Sequence, residues 1–364
     1  MENSTQINYN REVGILTPSR KLDQIYVTRY MGTKLNLLNF IIPKILKEVE
    51  TGDTIFDIMA GTQSIGYSLK YNNRIFSNDI QEYSYYIGKA LIENNSANIS
   101  KISAITELKN NYIQNIQNKK FNLFSKTYSD TYFSAMQCDE IDSIRFAIEK
   151  IDDEYKKALY LTCLMYAMGY AQSTTGHFAQ YLPPTHGRVI PLRKINIWNV
   201  FLDKCDNIKV KFSKFENKCF NNDYKDFFRM PELENFLKQA KLVYVDPPYT
   251  AEQYSRFYHI LETLVKYDYP EVMAKGKYRK DRYFSGFSQS SKVKDEFQVM
   301  IKNFSTYKVK LAISYSNKGL IPITDITNIC HNYYGNVSLS TFNYKHSTQG
   351  KGNLKVKEFL IICK

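Results

Sequence analysis

Residues 240–245 read Ala-Lys-Leu-Val-Tyr-Val and pass directly into Asp246-Pro247-Pro248-Tyr249. A short apolar run rich in β-branched and aromatic residues reads as a buried strand. The two prolines end it, because each fixes φ and neither offers an N–H to a neighbouring strand. This junction constrains the fold more than any other segment. In open α/β sheets, ligands bind in the crevice beyond the carboxyl ends of the strands. There the Asp246 carboxylate and the Pro247 carbonyl, stiffened by Pro248, make adjacent acceptors suited to an exocyclic NH2. Tyr249 adds a ring that can stack on a planar base. A rigid turn is the plainer reading of the same four residues.

The surrounding pattern is also α/β. Asn36 to Lys47 carries Leu37, Leu38, Ile41, Ile42, Ile45 and Leu46 at helical spacing, and Thr54 to Met59 is a short apolar run ending at Ala60-Gly61. A helix start at Ile65 to Lys70 and a second strand at Arg74 to Asn78 follow, the opening of a doubly wound sheet. Residues 91–215 lose the alternation and predict long helices, notably Asp142 to Ile151 and Glu154 to Ala171. Strands resume at Ala240 to Val245, Val309 to Tyr315, Val337 to Phe342 and Val356 to Cys363, with a helix over Glu252 to Tyr267. We therefore expect three blocks: 1–90 and 216–364 as two parts of one catalytic domain, and 91–215 as an inserted recognition domain.

Near the first strand, Gly61 lets backbone approach a ligand closely. Asp57 at the strand end is placed to balance a positive charge, with Met59, Ala60 and Thr62 around the same turn; taken alone, the segment reads more plainly as a tight βα turn. Asp79, after the second strand, matches an acid that accepts from ribose hydroxyls; it serves equally as an N-cap for Gln81 to Leu91.

Composition excludes some classes. The 364 residues are 43% hydrophobic and 23% charged, which is globular rather than disordered. No apolar run approaches the ~20 residues of a membrane span, and the first residues, MENSTQINYNREVG, have no apolar signal core. Six dispersed cysteines without a CxxC pair, and five histidines without ligand spacing, predict neither a disulfide framework nor a metal site. The net charge of +13 points to a polyanionic partner. A bias toward Lys, Asn, Ile and Tyr codons, which fits thirty tyrosines and one tryptophan, is the other source of such a charge.

The chain resembles the amino-methylating DNA methyltransferases with a DPPY motif, and within them the α-ordered D12 class of N6-adenine enzymes. The resemblance rests on Tyr30-Met31-Gly32-Thr33-Lys34, Phe56-Asp57-Ile58-Met59-Ala60-Gly61, and Asp246 to Tyr249. The segment Gln253 to Leu264 resembles a subset tied to type II restriction–modification systems, and Ala312 to Ser316 and Lys357 to Ile361 also match. It covers nearly all of 25–90 and 215–364, without specificity for the insertion. The resemblance implies a Rossmann-like sheet interrupted by a mainly helical target recognition domain. It implies S-adenosylmethionine as cofactor, double-stranded DNA as substrate, a possible cognate restriction endonuclease, and a bacterial cytoplasmic location at the nucleoid. Asp246, Pro247, Pro248 and Tyr249 would be catalytic. Tyr30, Gly32 and Lys34 would lie on the cofactor side, although a hydrophobic staple and a solvated lysine fit them too. Asp223 and Tyr224 resemble the acidic–aromatic pair at the cofactor's adenine, or form a simple loop. One departure is visible: Gln63 stands where the family's second motif glycine is usual.

Two basic segments are candidates for DNA contact. Lys275, Lys277, Arg279, Lys280 and Arg282 fall within eight residues with one acid, and are read as phosphate contacts or as a solvated face. Residues 173–215 hold seven Lys/Arg against two Asp/Glu. Within them Gln180, Arg188 and Arg193 are of types that contact base edges, or belong to a connecting loop. An N4-cytosine enzyme and a non-catalytic DNA-binding protein of the same fold are the competing functions; Asp246 favours adenine over cytosine.

Overall fold

The computed structural model describes residues 9–10, 15–16, 34–346 and 354–364; Tyr30 and Gly32 lie outside them. Seven strands form the central sheet: β1 Thr54–Asp57, β2 Arg74–Asn78, β3 Lys218–Phe220, β4 Leu242–Val245, β5 Lys310–Ser316, β6 Val337–His346 and β7 Leu354–Cys363. Their spatial order is β6-β7-β5-β4-β1-β2-β3. The pairs from β5 to β3 are parallel, and β7 runs antiparallel to both β5 and β6. The chain order reverses between β1 and β4, the position where open sheets of this kind bind ligands.

Strand periodicity explains the two-sided core. In β1, β2 and β4, Ile55, Ile75, Leu242 and Tyr244 point to one face, and Phe56, Phe76, Val243 and Val245 to the other. The second face is covered by helices Pro231–Gln239, Val293–Thr306 and Ile323–His331 through Leu237, Phe297, Met300 and Ile326. The first face packs on helices Leu38–Leu46 and His259–Lys266 and on those of the 91–215 region. Leu108, Ile144, Leu164 and Phe201 belong to the same hydrophobic cluster as Ile55 and Leu242. The helical region thus shares a core with the sheet.

That region contains helices Lys101–Asn118, Leu123–Thr127, Ala135–Glu149, Glu154–Ala171 and Ile197–Asn207. Each long one begins on a side-chain cap. Ser100 and Ser134 form capping boxes with Ser103 and Gln137, and Asp153 accepts from Tyr155 and Lys156 N–H at 2.9 and 3.0 Å. The expected boundary at residue 90 falls inside a continuous helical run, because Glu82–Gly88 continues through a π-turn at Lys89–Glu93.

The expected helix over Glu252 to Tyr267 is broken into Tyr254–Phe257 and His259–Lys266. The Phe257 carbonyl accepts the Phe178 N–H at 2.8 Å, and Tyr258 leaves helical geometry at φ −120°. On the far side of the break, His259 Nε2 lies 3.1 Å from the Phe178 carbonyl. A contact from the helical region therefore overrides local helix propensity.

Candidate active site

The parallel register sets the carboxyl ends of β1, β2 and β4 side by side: Asp57 pairs with Ser77 and with Tyr244. A cleft opens at this edge. Its walls include Lys34, Asp57, Gly61, Asp79, Asp246 and Pro247.

The turn after β1 is built by three polar side chains. Gly61 has φ +51°, and its N–H donates to Asp79 Oδ2 at 2.8 Å. Asp79 Oδ1 accepts the Gln81 N–H, also at 2.8 Å. Asn78 ties three strand ends together, donating to the carbonyls of Ile58 and Asn222 and accepting the Asn222 N–H. Gln63 occupies a left-handed position, φ +65°, where a motif glycine would cost nothing. Its buried amide compensates by accepting from Ser77 Oγ at 2.5 Å and donating to the Ser84 carbonyl at 3.1 Å. The departure from the expected glycine is thus locked by hydrogen bonds.

Asp57 is 1% exposed, and no side chain hydrogen-bonds either of its carboxylate oxygens; the Gly66 N–H alone favours its charged form. Burial, with Asp246 and Asp79 nearby, pushes it well above the usual carboxylate range. Burial likewise raises Asp79 to about 6, against the hydrogen bonds from Gln81 and Gly61. A buried carboxylate so sparsely partnered is costly unless a ligand completes it.

At the end of β4, Asp246 Oδ1 lies 2.9 Å from Lys34 Nζ. Burial works against the Lys34 charge, but Asp246 and Glu358 hold its pKa above the ordinary value. The same ammonium stands 5.1 Å from the centre of the Tyr249 ring, a cation–π distance. Tyr249 packs edge-on against Tyr315 with centroids 5.9 Å apart, and its carbonyl accepts the Leu320 N–H at 2.9 Å. Lys34 therefore faces the DPPY side of the cleft; the solvated-lysine reading is corrected by its 3% exposure.

On the far wall, Asp223 caps its own turn through the Lys225 N–H and accepts from the Tyr283 hydroxyl at 3.1 Å. Tyr224 donates to Glu296 at 2.9 Å, and Lys225 pairs with the same carboxylate at 2.8 Å. Met59, Ala60 and Thr62 also line the cleft. So do Gln253, Tyr254, Ser255, Tyr283, Ser285 and Phe287, which sequence reasoning missed as site residues. Only the loop after the DPPY strand returning to the cleft reveals them.

The basic segments divide. Arg279 is 1% exposed and makes bidentate contacts of 2.7 Å with Asp268, plus two bonds to Asp281. Its expected place on a DNA-facing surface is corrected: the guanidinium is buried because two flanking carboxylates neutralise it. Lys277 is part-buried and donates to the Thr127 carbonyl. Arg282 packs on the rings of Tyr278 and Phe284, and Lys280 pairs with Glu271 at 2.7 Å on the surface. Lys275 is exposed. In the other segment, Gln180 and Arg188 are exposed. Arg193 instead pairs with Asp130 and donates to the Phe133 carbonyl at 3.3 Å. That pairing ties the loop to the helical region rather than offering the side chain outward.

Among the described residues, no helix is long and apolar enough to cross a membrane. The chain is 30% identical over 359 residues to the modification methylase LlaI of Lactococcus lactis subsp. lactis, covering 92% of this chain and 55% of that protein. It is 28% identical over 347 residues to the modification methylase StsI of Streptococcus sanguinis, covering 91% and 50%. It spans about half the length of these relatives. It is also 25% identical over 309 residues to the type II methyltransferase M.NlaIII of Neisseria lactamica, covering 82% and 86%. A family model matches residues 30–315, from the segment before Lys34 through the DPPY strand to β5. With this match and the cleft at the strand ends, the chain belongs to the D12 class of N6 adenine-specific DNA methyltransferases.

Proposed function

We propose that this protein methylates the N6 amino group of adenine in double-stranded DNA, with S-adenosylmethionine as donor, as the modification partner of a cognate restriction endonuclease. One observation carries the reading: Asp246 and Pro247 share a cleft with the buried Asp57 and with Asp79. Four aspartates, Asp57, Asp79, Asp223 and Asp246, line the cleft with Lys34 as the single cation among its described residues, a lining that suits a ligand bearing a sulfonium and an ammonium. Asp57 would hold the amino end of such a ligand and Asp79 its ribose hydroxyls, while Asp223 and Tyr224 would flank its adenine. When bound, S-adenosylmethionine supplies an electrophilic methyl group already activated by sulfur.

The chain's own task is to present the nitrogen. A target base inside the helix stack is out of reach and must be extruded, at a cost of a few kcal/mol. Tyr249 would support the extruded ring. Asp246 and the Pro247 carbonyl would accept the two amino hydrogens, which draws the nitrogen lone pair out of conjugation with the ring. Acceleration then comes from positioning and fixed charge. The region 91–215 and the exposed residues Gln180, Arg188, Lys275 and Lys280 are proposed to meet the DNA, the lysines at phosphates.

The experiment is transfer of tritiated methyl groups from S-adenosylmethionine to duplex DNA, followed by methylation-sensitive long-read sequencing. The expected result is N6-methyladenine in one sequence context, absent with Asp246→Ala. Label in N4-methylcytosine would replace the base assignment, and no label would overturn the activity.

A further inference from the structure

Lys34 holds two groups that the target base needs. Its ammonium lies 2.9 Å from Asp246 and 5.1 Å from the centre of the Tyr249 ring, and it is 3% exposed. An arriving amino group competes with it for Asp246. An ammonium this deeply buried cannot be left without a counter-charge, since an uncompensated buried ion costs several kcal/mol. A second anion must be within reach.

Besides Asp246, Glu358 is the carboxylate whose charge acts on Lys34. It lies on β7 opposite Ser316 of β5, and β5 in turn pairs with β4, the strand that delivers Asp246. The carboxylate is 2% exposed, and Oε2 is buried without a hydrogen-bond partner. The charges acting on it are Lys34, which favours its ionised form, and Asp246, which opposes it. Ser316 of β5 hydrogen-bonds it, Tyr244 of β4 lies within its field, and the residue opposite on β6 is the uncharged Phe342.

We propose that Glu358 is a positioning residue, the second anchor of Lys34, which draws the ammonium away from Asp246 when the amino group of the target base arrives. The identity of the displacing group rests on the methyltransferase reading; the sharing of Lys34 between two carboxylates does not. No proton moves in this exchange: Lys34 stays charged and changes its ion-pair partner. Burial and Asp246 together raise Glu358 to about 7 despite Lys34. Below that pH a neutral Glu358 leaves the ammonium on Asp246, so the chemical step slows on the acid side.

The test has two arms. In the first, protein with nitrogen-15-labelled lysines is titrated by NMR without DNA or cofactor. Glu358→Gln is expected to lower the pKa of the Lys34 ammonium by at least about half a unit, as loss of a nearby opposite charge should. An unchanged titration overturns the proposal, whatever the enzyme does. In the second, single-turnover methylation is followed against pH. Glu358→Gln is expected to slow the step about ten-fold, with DNA affinity within about two-fold, and to remove the acid limb near pH 7. Glu358→Asp, which keeps the charge, is expected to retain more activity. In a Lys34→Met background, adding Glu358→Gln is expected to change the rate less than about two-fold. Equal losses in both backgrounds, or Glu358→Asp no better than Glu358→Gln, overturn the proposal. Absence of any methyl transfer by the wild type counts against the methyltransferase reading alone, and the first arm still decides.

Discussion

Asp79 Oδ2 accepts the backbone N–H of Gly61 at 2.8 Å, joining the end of β2 to the turn after β1. The same carboxylate is thus a structural clamp and the proposed acceptor for ribose hydroxyls. Asp79→Ala is expected to weaken S-adenosylmethionine binding about ten-fold by calorimetry, with the circular dichroism spectrum retained. The pH dependence has a definite sign. Burial raises Asp79 from 3.8 to about 6, so protonation favours the free folded state below that pH, and this stabilisation is lost as pH rises through about 6. Cofactor binding uses the ionised form and runs the other way. Affinity should fall as pH drops below about 6, and Asp79→Asn should flatten that dependence.

Asp246→Ala removes the acceptor but leaves the Tyr249 ring and the Asp57 side of the cleft. Turnover is expected to fall by orders of magnitude, roughly 10³-fold, while DNA and cofactor affinities change little, the pattern of an interaction made in the transition state. Tyr249→Phe should retain much of the activity. Tyr249→Ala should lose more, and should recover in part on DNA with a mispaired target adenine, which costs less to extrude. A rate for Asp246→Ala within about three-fold of wild type would contradict the assignment.

Gln63 trades a strained backbone for buried hydrogen bonds to Ser77 and Ser84. Gln63→Gly relieves the strain but leaves those partners unmet, for a net loss of about 1 kcal/mol. Gln63→Ala keeps the strain and loses the bonds, about 2 kcal/mol in total. Thermal unfolding should therefore rank wild type above Gly and Gly above Ala. The reverse order for the two variants would show that the amide contributes little.

Arg279 and its neighbours should separate in a salt titration of DNA binding. Lys275→Ala and Lys280→Ala are expected to lower affinity modestly and reduce the slope against salt by about one each. Arg279→Ala is expected to lower stability by about 1–3 kcal/mol, because Asp268 and Asp281 lose their shared partner, and to leave the salt slope unchanged. A reduced slope with unaltered stability would return Arg279 to the DNA-facing surface.

Short contiguous patterns were the legible part of the fold. Val243, Tyr244 and Val245 followed by two prolines announce a strand and its end, and helix Glu154–Ala171 appears with the expected bounds, capped by Asp153. Strand Lys218–Phe220 has only three residues, too few for any period to register. What local pattern does not carry is pairing at a distance. Arg279 reads as one more cation in a basic run until Asp268, eleven residues back, is brought against it. Lys34 reads as a surface lysine until it meets Asp246, and Glu358 as an ordinary strand residue until β7 inserts beside β5. The break at Tyr258 escapes the sequence for the same reason, since its cause is Phe178.

One hydrophobic interior runs from Ile55 under the sheet to Leu164 and Phe201 in the helical region. A protein built in this way resists modular exchange. Grafting residues 91–215 from a relative would replace much of what packs on one face of the strands that carry the chemistry, and a chimera should lose stability before it gains a new target preference. Drift in target preference is then expected along the rim, where Gln180, His186 and Arg188 are exposed and can be replaced without repacking the interior.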